Sequence, residues 1–366
     1  MKKIYQLYLT AIIIVSGIQQ GYSQTEPINV NTTSVAFLRI SPDTRAGGMG
    51  NVGIATTPDA NSGFYNAAKI TFAGTRSAAG INYTPWLKDI VDKVFLASAG
   101  GYYQLDEQQA LSAGLRYFNM GDLPLTDYNG VKLQTAHPRE WALDVAYSRK
   151  LSNKLGIALA LRYINSRLAS GEVNGMAYKT GTAVSGDLSV YYNGLNEKGE
   201  GLTAGLVLSD LGTGINYTND ANMRGFIPAN AGIGAAYTKK LNEDHTIQFG
   251  IDINKLLVPA APADSAGMAN YTRKSVISSW FSSFDNGNVQ LAIGGEYTFK
   301  DLFSLRLGYN AESKKAGDRK GFTTGIGIYL NDVRFNFSYL APSGNGVTRN
   351  PLSNTVRFGL TYMLKH

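Results

Sequence analysis

The sequence predicts an all-β chain, a 14-stranded antiparallel transmembrane β-barrel with an N-terminal plug segment in its lumen. Three observations carry this. Apolar residues alternate with small or polar ones through segments of about 9–13 residues from position 75 onward. The joints between those segments are short and long in turn. An export signal opens the chain, and no later stretch approaches 18 apolar residues. The expected organisation is a signal peptide over 1–23, a periplasmic or plug segment over 24–73 and the barrel over 74–366.

The signal comes first. Lys2 and Lys3 precede an apolar run over residues 4–18, and Gly21-Tyr22-Ser23 is a small-x-small cleavage pattern. The run is short for a membrane span, so cleavage before Gln24 is expected. Loss of two lysines lowers the formal charge of +7 by two. The remaining excess is scattered, which argues against nucleic acid as a partner. The chain has no cysteine, excluding disulfides and thiolate metal sites.

The next segment holds SPDTRAGGMGNVGIATTPDANSG over residues 41–63. Gly48, Gly50 and Gly53 match G-x-G-x-x-G, the spacing of a dinucleotide loop. That loop needs a strand before it and a helix after it. Here Ser41-Pro42-Asp43-Thr44 is a turn, and Pro58, Asp59 and Gly63 bring more turns. The glycines are better explained by close backbone approach to a barrel wall, and no cofactor is expected.

The barrel segments are 75–84, 93–103, 109–118, 139–150, 154–166, 183–193, 201–210, 229–239, 245–254, 288–299, 302–311, 321–330, 332–340 and 354–365. In one, Leu155, Ile157, Leu159, Leu161 and Tyr163 share a face while Gly156, Ala158, Ala160 and Arg162 share the other. A soluble sandwich would alternate too, but its strands are usually nearer five or six residues. Short joints lie at 104–108, 151–153, 194–200, 240–244, 300–301 and 331; long ones lie at 119–138, 167–182, 211–228, 255–287, 312–320 and 341–353. One trimmed rim and one long-looped rim mark an up-and-down barrel with short periplasmic turns. Tyr83, Trp86, Tyr102, Tyr103, Tyr117, Trp141, Tyr147, Tyr163, Tyr192, Tyr237, Tyr297, Tyr339 and Tyr362 are candidates for aromatic girdles.

Chemistry is sparse. His137, His245 and His366 fall at loop, turn and terminus, so no Ser-His-Asp set and no metal set is expected, and the chain reads as a non-enzyme. Arg116, Asp144, Arg162, Asp187, Asp252, Glu296, Arg306, Arg334 and Arg357 fall on the inward face. They would line a channel or pair with Asp43, Arg45, Asp59 and Lys69 of the plug; pairing is favoured for charges with so little hydration. Function is expected on the long loops. Phe226, Leu256, Leu257, Trp280, Phe281 and Phe284, with Trp86 and Leu87, are the candidate partner-binding residues; the competing reading makes them girdle or loop core.

Arg45-Ala46-Gly47-Gly48-Met49-Gly50, Val52-Gly53-Ile54-Ala55, Pro58-Asp59-Ala60 and Tyr65-Asn66-Ala67-Ala68 resemble the N-terminal plug of the FadL-like outer-membrane barrels. Asn66-Ala67-Ala68 stands where Asn-Pro-Ala is common in relatives. The resemblance makes Arg45, Gly48, Gly50, Gly53, Asp59 and Asn66 the expected plug residues. Thr57-Pro58-Asp59-Ala60-Asn61-Ser62, Gly80-Ile81-Asn82-Tyr83-Thr84-Pro85-Trp86-Leu87 and Arg116-Tyr117-Phe118-Asn119-Met120-Gly121 are similar to the PorV-type proteins of the type IX secretion system. That resemblance implies a protein-handling barrel of the outer membrane. It would bind the C-terminal signal domain of exported cargo at the translocon barrel subunit. It would then deliver cargo to the surface attachment sortase, beside outer-membrane lipid or lipopolysaccharide. The rival expectation is a FadL-type transporter of fatty acids or other hydrophobic compounds.

Overall fold

The computed structural model describes residues 33–86, 93–127, 129–173, 175–220, 224–260, 273–341 and 354–364, with 262, 267, 270, 271 and 343. The predicted signal peptide, Leu87 and His366 lie outside the described residues. The strands in chain order are β1 (Ser77–Pro85), β2 (Val94–Gln104), β3 (Gln109–Met120), β4 (Leu123–Thr126), β5 (Lys132–Ala136) and β6 (Arg139–Lys150). They continue as β7 (Leu155–Arg167), β8 (Gly171–Val173), β9 (Met176–Tyr178), β10 (Gly181–Asn193), β11 (Gly201–Gly212) and β12 (Asn230–Lys240). The last are β13 (His245–Leu256), β14 (Val289–Phe299), β15 (Phe303–Glu312), β16 (Lys320–Leu330), β17 (Val333–Leu340) and β18 (Thr355–Leu364). Fourteen of them form one closed antiparallel barrel; β4–β5 and β8–β9 are separate hairpins built into long loops, where the sequence reading placed irregular chain. Closure is made by β18 on β1, in register from Ser77–Leu364 to Tyr83–Phe358.

Alternation explains both the strands and their membrane. In β7 the apolar residues from Ile157 to Tyr163 are exposed, while Ala158, Ala160, Arg162 and Ile164 are buried. Leu161 is 62% exposed, Phe249 62% and Leu307 69%, yet Arg162, Asp252 and Arg306 are buried. A sandwich would bury the first set. This inside-out distribution needs hydrocarbon around it, and in hydrocarbon a closed barrel is the β architecture that pairs every backbone group.

Tyr83, Tyr103, Tyr147, Tyr163, Tyr192, Tyr237 and Tyr362 project outward, as girdle residues must. Neighbouring strands pair their rings across the ladder, with Trp141 and Tyr163 5.5 Å apart and Tyr83 and Phe95 5.4 Å apart. Two girdle expectations need correction. Tyr102 faces inward, its hydroxyl 2.6 Å from Thr75 Oγ1. Trp86 packs on Phe118 within an internal apolar cluster. Both keep the strand phase: Tyr102 shares the inward face of β2 with Val94, Leu96 and Ser98, and Trp86 continues the inward face of β1 after Asn82 and Thr84, so alternation itself places them inside.

Leu161 sits midway along β7 and faces lipid, so Leu161→Arg is expected to lower the stability of barrel refolded in vesicles by about 2–4 kcal/mol. Denaturant titration of vesicle-bound protein measures this. A change near zero would mean that the outward face is not lipid-covered.

Candidate functional site

Residues 33–73 lie within the ring. Ser98 of β2 donates to Pro42 O, Ser148 of β6 to Ala67 O, Thr203 of β11 to Ala55 O and Thr323 of β16 to Gly48 O. A segment bonded to strands on opposite sides of a closed ring must be inside it. A 3₁₀ turn over Ala36–Arg39 leads to α1 (Thr44–Gly48), whose N-cap Asp43 accepts from Arg45 N and Ala46 N at 3.0 Å each. Asn66 caps a 3₁₀ turn over Ala67–Phe72 by accepting from Ala68 N, and donates to Ile54 O and Val190 O.

The glycine run is a contact surface. Gly50 has φ 70°, and a Cβ there would lie 2.7 Å from Tyr309 N and O. Opposite it, a Cβ on Gly308 would lie 2.0 Å from Gly50 N. Backbone meets backbone, which only glycine permits. Gly48 passes Gly325, and Gly53 lies under the Tyr65 ring.

Charges are paired in two groups. Arg45 Nη2 and Nε donate to Glu296 at 2.7 and 3.1 Å, and Nη1 donates to Asp59 Oδ2 at 2.9 Å. Arg306 Nε reaches the same Glu296 at 2.5 Å. In the second group, Arg162 bonds Asp144, Asp187 and Asp210, and Arg116 Nη2 lies 3.3 Å from Asp144. Asp210 escapes the sequence reading. Thr203, Gly205 and Val207 set the inward phase of β11, which puts Asp210 outside; a φ of 56° turns it in.

Some inward charges do not meet the partners expected of them. Asp252 accepts from Gly53 N and Ile54 N at 2.7 and 2.9 Å, not from a cation. Lys69 Nζ donates to Gly53 O and Thr56 Oγ1 at 2.7 and 3.1 Å, so burial pushes its ammonium down to about 8. Burial and the charge of Asp59 push Asp43 up to about 6. Arg334 lies over the Tyr329 ring at 4.7 Å. Arg357 is buried, with Nε and Nη1 lacking a hydrogen-bond partner among the described residues.

The long-loop candidates separate into two sets. Phe226, Leu256 and Leu257 are buried, the first two in a loop core with Val258 and Tyr271, so this structure does not present them to a partner. Trp86 is half-buried against Phe118. On the short helix α2 (Val276–Ser282) and the turn after it, Phe281 is 73% and Phe284 59% exposed, beside a half-buried Trp280. Ile277, 62% exposed and one turn before Phe281, extends this ridge. The sequence reading missed it, although the i, i+4 spacing to Phe281 could have found it. The exposed Lys314 and Lys315 follow nearby, the Lys315 side chain 3.9 Å from where a Gly287 Cβ would stand.

Arg45→Met leaves Glu296 and Asp59 short of a cation in a buried site, and a loss of about 3–5 kcal/mol in the seating of the inner segment is expected. Hydrogen exchange over residues 44–72 should rise while heat-modifiable gel mobility still reports a closed barrel. Lys69 gives a pH signature. Between its folded value near 8 and its ordinary value of 10.5, the unfolded chain holds more protons, so stability rises with pH. The melting temperature of the wild type should therefore gain on that of Lys69→Met as pH is raised from neutral through 10.

Among solved structures, the TodX deltaS2S3 mutant monoaromatic hydrocarbon channel, a form of the Pseudomonas putida protein, superposes with TM-score 0.56 at 13% identity over 88% of this chain and 98% of its own. The CymD monoaromatic hydrocarbon channel does so with TM-score 0.55 at 10% identity, over 92% and 100%. The Ralstonia pickettii toluene transporter TbuX gives TM-score 0.51 at 11% identity, over 89% and 98%. Such identities speak for the barrel fold alone. No curated protein matches the chain at a significant level. Residues 23–263 match the family described as type IX secretion system protein PorV. With that match spanning well over half its length, the chain belongs to the PorV family.

Proposed function

We propose that this chain is a non-enzymatic outer-membrane component of the type IX secretion system. It binds the C-terminal signal domain of exported cargo at the translocon barrel subunit. It then delivers the cargo to the attachment sortase at the cell surface, with outer-membrane lipid or lipopolysaccharide around it. The inner segment acts as a plug, and the long-loop rim, on the outer side, does the binding. A signal peptide over residues 1–23 brings the chain to the envelope.

One observation carries the reading beyond family membership. A closed barrel with a filled interior displays Ile277, Phe281 and Phe284 on its long-loop rim. Exposed aromatic clusters of this kind are contact residues for a partner, where a few large side chains supply most of the affinity. No bond is made or broken in such a hand-off. Affinity has to be moderate, because cargo must leave.

The second reading, transport of fatty acids or other hydrophobic compounds, draws on the barrel fold and needs an apolar path through the lumen. The charge-paired interior fits it less well. Both readings are tested together. From cells expressing Phe281→Ser/Phe284→Ser, recovery of cargo and translocon subunit with the barrel in mild detergent should fall at least about tenfold, the cost of losing hot-spot aromatics. Undiminished recovery would overturn the rim assignment. A deletion strain that attaches all its signal-bearing cargo normally, yet takes up hydrophobic nutrients poorly, would favour transport.

A further inference from the structure

Two neighbouring rows of outward side chains cross the wall where the barrel closes. One runs from Tyr117 of β3 through Ala97, Tyr83 and Phe358 to Phe337 and Ile326 of β16. The other runs beside it from Leu115 to Ile328. Between them lies a groove of about 660 Å³, floored by Ser98, Asn82, Gly359 and Asn336. The polar side chains of that floor turn inward. Ser98 donates to Pro42 O, Asn82 accepts from Thr44 N, and Asn336 accepts from Arg306. The groove itself is therefore almost entirely apolar.

Its size and slant suit an acyl chain. A cavity of ~150 Å³ already accommodates a benzene ring, so this groove has room for a long chain. Tyr117 lies near the long-loop end of β3, which is at Met120, whereas Ile326 lies midway along β16 (Lys320–Leu330). The groove thus descends from the aromatic girdle to the middle of the wall. A chain hung from the bilayer surface follows that path.

Two arginines stand beyond its upper end. Arg139 of β6 and Arg167 of β7 are directly opposite each other in the ladder and both are exposed. They share the outward phase of Trp141 and Tyr163. Arg139 also faces Asn119 of β3, one outward position beyond Tyr117. Like charges so placed destabilise a sheet unless an anion answers them. The rim cation Lys93 has its carboxylate, Asp122, at 3.0 Å. Neither arginine forms an ion pair among the described residues, and Arg167 donates instead to Ser170 Oγ at 3.1 Å. Guanidinium groups just above a girdle stand at the height of lipid headgroups, and guanidinium binds phosphate through two parallel hydrogen bonds.

We propose that this sector of the wall binds one phosphate-bearing acyl lipid of the surrounding bilayer. Its phosphate lies between Arg139 and Arg167, and an acyl chain fills the groove. The site is independent of the cargo reading. It is tested on the full mature barrel by native mass spectrometry from tetraethylene glycol monooctyl ether micelles. Dimyristoyl phosphatidylglycerol, dimyristoylglycerol and inorganic phosphate are titrated separately. The phosphatidylglycerol should bind as a single retained copy, at least about tenfold more tightly than either of the others, the worth of charge-assisted hydrogen bonds. Arg139→Gln/Arg167→Gln should remove that advantage and leave dimyristoylglycerol unaffected. Ala97→Phe/Ala99→Phe, which fills the groove, should weaken both lipids. If one variant loses heat-modifiable mobility, the other carries the test. The proposal falls if phosphatidylglycerol binds no more tightly than dimyristoylglycerol, if phosphate alone binds as well, or if the folded variants retain the lipid undiminished. It falls equally if the barrel leaves the micelle as a lipid-free dimer, because a second copy would then be the occupant.

Discussion

Backbone N–H and C=O groups inside the apolar band have to find partners in a neighbouring strand, because hydrocarbon supplies none. Much of the molecule follows from that demand. The last strand must return to the first, and β18 does so on β1. Each strand then has one face toward lipid and one toward the lumen, so the sequence alternates. The lumen in turn becomes a confined space, lined by small and polar residues, that a second piece of chain enters.

Filling that space imposes its own chemistry. The inner segment approaches so closely that glycine backbones meet, as Gly50 and Gly308 do. Water is largely excluded, and charges on the wall have to be neutralised by partners rather than by solvent. Arg45 and Arg306 share Glu296, and Arg162 gathers Asp144, Asp187 and Asp210. These groups tie the segment to distant strands and brace the wall itself. A set of charges that would line an ion path in an open barrel serves here as clamps. The exception is Arg357, whose Nε and Nη1 have no hydrogen-bond partner among the described residues.

With the interior committed to packing, the proposed recognition falls to the rim. Aromatic residues of one composition take two roles there. Phe226 enters a loop core against Tyr271, their rings 5.1 Å apart, whereas Phe281 and Phe284 stay in the open. Loop core and exposed ridge are adjacent in the chain.

The sequence by itself determined the barrel, the number of its strands and the inward set of charges. Those features depend on period two and on loop length, and both are local properties of the chain. Strand limits read from alternation agree with the observed ones within two residues. What alternation cannot carry is any place where the phase breaks. Asp210 turns inward through its own left-handed backbone. Pairing was also beyond it: that Asp252 would meet backbone N–H groups, that Lys69 would meet a carbonyl, and that Arg357 Nε and Nη1 would find no hydrogen-bond partner among the described residues. The tertiary structure alone decided these, and with them which loop aromatics are covered. Each depends on how residues beyond a strand's length apart are brought together, 16 positions for Lys69 and Gly53 and 199 for Asp252 and Gly53, and no short window of sequence contains that geometry.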